Sequence, residues 1–240
     1  MIIKHKTQGF SLTEISIVLV IIGLILAAVL GGKSLIAEAK LRATITEVEK
    51  LKVALNSFYA VYDAYPGDMG EASTFWLGAT NGDDNGKIEF KQGSVYEGYN
   101  AWQHLSYARI LEKAYLGTQT TGLATTDSDI PASNIKGGGY FLDYGIHGIS
   151  THNVIVLGRP YSHVAGDANV KINSLLTPQQ AFEIDAKIDD SNPENGTVRG
   201  TDGADATAAD CIKTSTSPDV YDLSKEDSKC ALTFEYNSGE

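Results

Sequence analysis

The 240-residue sequence carries no GxSxG elbow, no phosphate-binding P-loop, no dinucleotide-type glycine pattern and no HExxH. His104, His147, His152 and His163 show no spacing suited to a metal. Nothing therefore points to hydrolytic, nucleotide-dependent or zinc chemistry. Basic stretches interleaved with aromatics are also missing. With a net charge of −11, the exposed surface repels nucleic acid and anionic headgroups and attracts cations, so nucleic-acid binding is not expected. No internal repeat occurs. Cysteine is scarce: Cys211 and Cys230 are the two in the chain. In an exported protein they pair by default, whereas in a reducing cytosol they stay free.

Charge is missing from one segment in particular. Between Phe10 and Leu30 the chain reads FSLTEISIVLVIIGLILAAVL, with Glu14 its single ionisable side chain. As a helix, this run is about 31 Å long, enough to cross a bilayer. Lys4 and Lys6 precede it and no charge follows before Lys33, which puts the N-terminus in the cytoplasm and the bulk of the chain outside. A secretory signal peptide has a shorter apolar region and a small-residue cleavage site; here Ala27-Ala28 continues into Val29-Leu30. An acidic group in a membrane helix costs on the order of 3 kcal/mol, so Glu14 either snorkels to the cytoplasmic interface or meets a partner.

The junction Gly9-Phe10-Ser11-Leu12-Thr13-Glu14, behind a short basic leader and ahead of the apolar run, resembles the type III signal of prepilins, the precursors of type IV pilins and type II secretion pseudopilins. The resemblance is specific over about the first 25 residues and looser beyond. It implies a leader of residues 1–9, a cut between Gly9 and Phe10 by a prepilin peptidase, and methylation of the new N-terminus. It also implies that Glu14 pairs with the α-amino group of Phe10 on a neighbouring subunit, each charge relieving the burial of the other. Gly23 matches a family glycine, where backbones approach closely. Where many pilins carry a proline, this chain has Gly31-Gly32, which weakens a helix by roughly 1 kcal/mol per glycine.

On this reading the protein is no enzyme but a subunit of a type IV pilus or related filament. Its partners are other pilins, like or unlike, the peptidase/methyltransferase and the inner-membrane assembly machinery. It sits as a single-pass protein in the bacterial inner membrane, then in a periplasmic or surface filament. The alternatives are a secretion pseudopilin, or a periplasmic or surface binding protein whose helix is only a tether. The C-terminal disulfide loop leans toward a pilus, a calcium loop toward a pseudopilin.

Beyond Lys33, Leu41, Ile45, Val48, Leu51, Leu55, Phe58 and Tyr62 recur at helical spacing, a single apolar stripe. Tyr65-Pro66-Gly67-Asp68 breaks the helix. Residues 66–98 lack periodicity. Asn100 reads as the cap of a helix bearing Trp102, Leu105, Ala108, Leu111 and Tyr115 and stopped by Gly117. Tyr140–Tyr144, Val154–Leu157 and Ala231–Tyr236 read as strands. Thr177-Pro178-Gln179-Gln180 reads as a capping box with proline in the first turn. Gly200–Ala209 reads as a mobile loop. The expected fold is α+β: a long N-terminal helix, transmembrane over 10–30 and amphipathic over 31–62, packed on a small antiparallel-sheet head over 63–240 with a C-terminal disulfide loop. Tyr65–Met69 and Ala101–Leu105 resemble segments of larger prepilin-type proteins with this layout.

One stretch resembles a cation loop. Asn81, Asp83, Asn85, the Lys87 carbonyl and Glu89 fall at alternate positions around Gly86, as in the front half of a Ca²⁺ loop. The twelfth position is Gln92 instead of a bidentate glutamate, so affinity near the millimolar end is expected. The same Asn, Asp and Gly content also makes an ordinary exposed turn. No cofactor is otherwise required. Asp185, Asp189 and Asp190, at or past a helix end, read as solvated acids and not as a catalytic pair.

Overall fold

The structure is a computed structural model that describes residues 11–90, 96–117, 122–146, 151–163, 172–206, 210–214 and 218–236. The junction residues Gly9 and Phe10, and Gln92 and His147, lie outside them. The described helices are α1 (Leu12–Tyr62), α2 (Ala72–Phe75), α3 (Glu97–Tyr107) and α4 (Pro178–Ile188). The described strands are β1 (Gly122–Leu123), β2 (Gly139–Tyr144), β3 (Asn153–Pro160), β4 (Ser162–His163), β5 (Ile172–Asn173), β6 (Val198–Asp202), β7 (Ile212–Lys213), β8 (Val220–Tyr221) and β9 (Cys230–Tyr236).

Helix α1 is unbroken for 51 residues and passes through Gly31-Gly32 without a melted stretch. The chain falls into two units, residues 1–40 and 41–240, so the division lies inside the helix and not at its end. In the first unit α1 has no core to join: from Ser11 to Val29 every described side chain is exposed.

The second unit is built on an antiparallel sheet in the order β2-β3-β9-β6, with β5 pairing the end of β3. The last strand is central: Val156 pairs Thr233, and Gly200 pairs Leu232 on the other edge. Val154 to Leu157 are fully buried, as a four-residue apolar run without alternation requires. They share one apolar cluster with Leu41, Val48, Leu51, Leu55 and Phe58 of α1, the expected stripe, with Ile45 and Tyr62 packed at its margin. Polar ties fix the register of the helix on the sheet. The Tyr140 hydroxyl donates to Glu47 at 2.7 Å, and the Asn134 side-chain amide donates to Thr44 at 3.2 Å.

Cys211 and Cys230 are joined by a disulfide, which tethers the first residue of β9 to the C-terminal loop. The fold is thus mixed α+β: an N-terminal apolar helix, an antiparallel-sheet head and a C-terminal disulfide.

Three local expectations are corrected. Asn100 does not cap α3, which begins at Glu97 and buries Asn100 in its second turn. That helix ends at Tyr107, because Arg109 turns to φ 58°, a left-handed conformation that halts helical bonding; Leu111 and Tyr115 follow as loop. Gly200 to Asp202 are not loop but strand β6, held by pairing to β9 despite the weak propensity of Arg-Gly-Thr-Asp. The Thr177 capping box, by contrast, forms as the sequence dictates, with Thr177 and Gln180 each accepting from the other's backbone N–H.

Candidate functional site

The first turn of α1 places Glu14 through a capping box. Ser11 N–H donates to Glu14 Oε2 at 2.7 Å, and Glu14 N–H donates to Ser11 Oγ at 3.2 Å. Ser11-Leu12-Thr13-Glu14 is the S-x-x-E pattern of a helix start, a signal that attention to the charge of Glu14 alone passes over. Two otherwise orphaned backbone donors are satisfied just inside the expected junction.

The helix beyond it is apolar on all sides. Leu12 is 92% exposed and Leu24 67%, and the run from Leu12 to Val29 is long enough to span a membrane. A helix apolar all round belongs in lipid or inside a protein assembly. Burying one such leucine is worth about 1.5–3 kcal/mol, so the stripe as a whole demands a partner environment.

In the head, the structure gathers carboxylates that sequence reading did not join. Asp68 on the Pro66-Gly67 turn, Asp83 in the 81–89 loop and Glu97 at the first turn of α3 bring oxygens within 4.8 Å of one another. Asp68 and Glu97 are buried. They act as acceptors around which the loop folds. Asp68 takes the N–H groups of Asn85 and Gly86 at 2.9 Å each, and Glu97 takes those of Asp83 at 3.2 Å and Glu89 at 3.1 Å. Gly82 lies directly against the Asp68 backbone, where a β-carbon would collide. Burial pushes the Asp68 carboxyl up to about 6 and the Glu97 carboxyl up to about 8.

Of the five residues of the Ca²⁺-like loop, Asp83 is the one in this cluster. Asn81 Oδ1 accepts from Ser73 N–H at 2.8 Å, and Asn85 Oδ1 from Lys87 N–H at 2.9 Å. Asn85 Nδ2 bridges Asp83 and Glu89 at 3.0 and 2.9 Å. The Tyr65–Met69 segment contained Asp68, but nothing in its sequence said what it would face. Glu97 was hidden by placing the helix start at Asn100.

His104 is buried and structural. Its Nδ1 accepts from Gly67 N–H at 2.9 Å and its Nε2 donates to the Thr80 carbonyl at 2.9 Å, so it clasps the turn to the loop. Burial lowers its pKa to about 4. Asp185, Asp189 and Asp190 also form a cluster, but Asp185 is not solvated as expected: it is buried and accepts from the Tyr221 hydroxyl at 2.8 Å. Asp189 accepts the N–H groups of Thr197 and Val198 and so anchors the start of β6.

Residues 4–30 match the prokaryotic N-terminal methylation motif, the prepilin-type signal of type IV pilins and pseudopilins. No curated protein and no solved structure matches the chain. The match covers the exposed, capped start of α1 and makes this segment similar to the N-terminal signal of type IV pilins and pseudopilins.

Proposed function

We propose that this protein is a structural subunit of a type IV pilus or a related filament, built through its N-terminal helix after a cut between Gly9 and Phe10. The observation that carries the reading is the methylation motif over residues 4–30 laid directly on a helix that leaves every described side chain from Ser11 to Val29 exposed. Its mechanism is assembly, not catalysis. In the membrane, lipid covers the helix. In the filament, other copies or other pilins do, with no water to screen charges in the bundle core. Glu14 holds its own helix start through Oε2, and its carboxylate pairs with the methylated amine of Phe10 on the next subunit. That pairing sets axial register and relieves two otherwise isolated charges.

Mass spectrometry of the mature protein is the direct test. A methylated phenylalanine start supports the reading; an intact Met1, or a cut beyond Leu30, removes it. Glu14→Ala separates a subunit from a tethered binding protein, since a tether keeps its function with the carboxylate gone while a subunit leaves the filament. The disulfide loop between Cys211 and Cys230 favours a pilus over a secretion pseudopilus.

A further inference from the structure

Two features of the head match one another. The first is an apolar knob beside the end of α1. Leu77 is 99% exposed, the highest among the described large apolar side chains, and Phe75 is 56% exposed beside it. The knob is stiffened from below: Phe75 meets Tyr62 edge-on at 5.7 Å, and Trp76 stacks on Tyr107 at 6.3 Å. The second is a groove of about 640 Å³ between α1 and the loop after α3, walled by Val53, Ala54, Ile110, Leu111 and Tyr115. Val53 is 63% exposed, so one wall is apolar surface facing solvent. The volume falls in the range of small-molecule pockets, about 300–1,000 Å³, and admits large side chains.

Charge matches as well. Exposed Glu71 and Asp63 flank the knob, at the start of α2 and just past α1. Exposed Lys50 and Lys113 rim the groove, offset only in part by Glu112. Lys113 is held by Asp127 at 2.7 Å, which leaves Lys50 as the main cation for an incoming acid.

We infer that the groove receives the Phe75–Leu77 knob of a second copy of this chain. The inference rests on the filament reading and deepens it by naming a contact between heads. Knob and groove are different patches on one head, so each copy can offer its knob to one neighbour and its groove to another. This heterologous contact continues along a filament where its rotation does not close a ring, whereas reciprocal docking would stop at a dimer and give no ladder beyond two. Along α1, the groove is lined from Lys50 to Ser57 and the knob packs at Tyr62, a rise of roughly 8–18 Å at about 1.5 Å per residue. Neighbouring heads are therefore staggered by that distance.

The test uses full-length chains in cells that assemble them. Filaments of a Leu77→Cys, Val53→Cys double variant, oxidised and sheared, should run as a ladder of covalent multimers that reductant collapses to monomer. Either single variant should give no ladder. As a second arm, Glu71→Lys should lower the sheared filament fraction several-fold, and Lys50→Glu in the same chain should restore it. Where the double variant assembles, monomer alone on the gel overturns the contact and leaves the filament reading standing. Where it does not assemble, the charge pair decides, and a Glu71→Lys chain that assembles normally, or is not rescued, overturns it. Absence of the unaltered chain from the sheared fraction overturns the filament reading and this contact with it.

Discussion

Helix α1 is one element with two fates. From Ser11 to Val29 its described side chains all face outward, and the helix is apolar on every side. From Leu41 to Phe58 it buries a single stripe, with Leu55 and Phe58 at 0% exposure, and keeps charges on its other face. Backbone geometry does not distinguish the two stretches; composition does. A one-sided stripe folds with its own chain, whereas an all-round apolar surface stays unsatisfied until lipid or another molecule covers it. The head is thus stable by its own packing, and the spine is held by what it meets.

The sharpest way to break that division is Glu14→Ala. It should abolish incorporation into filaments, a loss of a hundredfold or more in sheared protein, while the head of the detergent-solubilised chain melts at the same temperature. A matched pair of truncations comes next. Phe58→Ala should destabilise the head by about 3–5 kcal/mol, because a fully buried ring leaves a cavity. Leu24→Ala, on a residue 67% exposed, should leave denaturant midpoints unchanged. If both shift the midpoint alike, the two stretches are not independent and the comparison fails.

How far the sequence announced this differs between the two regions for a physical reason. The spine was legible because its determinants are local: a junction motif, one acid, a run of apolar residues, and a stripe at spacings of three and four. The Thr177 capping box was legible on the same grounds. In the head, Asp68 and Glu97 lie 29 positions apart and become one site only because Gly67 and His104 fold the turn against α3. Pairing across the sheet likewise overrode the loop-like composition of β6, and one positive φ at Arg109 shortened α3. Nonlocal pairing and single left-handed residues leave little trace in periodicity. The paired cysteines needed no such pairing information, since export alone made their bond the default.

That bond gives the next smaller effect. Cys211 and Cys230 are 19 positions apart, and opening a loop of that size by Cys→Ser at both should cost about 3 kcal/mol in the chain-entropy account. The loss should appear in the head's melting temperature and, since Cys230 begins the central strand β9, should expose the β6 and β3 pairings to hydrogen exchange before α1 opens.

The finest test is pH, because the head holds acids with raised pKa values and a histidine with a lowered one. Burial lifts Glu97 from 4.5 to about 8, so the folded state keeps a proton that the unfolded chain releases. Its contribution is fully present below about pH 4.5 and is lost as pH rises through about 8. Asp68 and Asp185, each lifted from 3.8 to about 6, behave the same way at lower pH. His104 runs opposite: lowered from 6.5 to about 4, it stays neutral when folded, and stability is lost as pH falls from 6.5 toward 4. The two trends overlap below pH 6.5 and blur each other. Between 6.5 and 8, the proton that burial holds on Glu97 is the main one in play among the described residues, so denaturant midpoints of the intact chain should fall across that window. Glu97→Gln should flatten the fall and leave the acid limb set by His104 in place. If the slope from 6.5 to 8 persists in Glu97→Gln, the Asp68–Asp83–Glu97 cluster is not held together by a proton at neutral pH, and the head's pH response has its origin elsewhere.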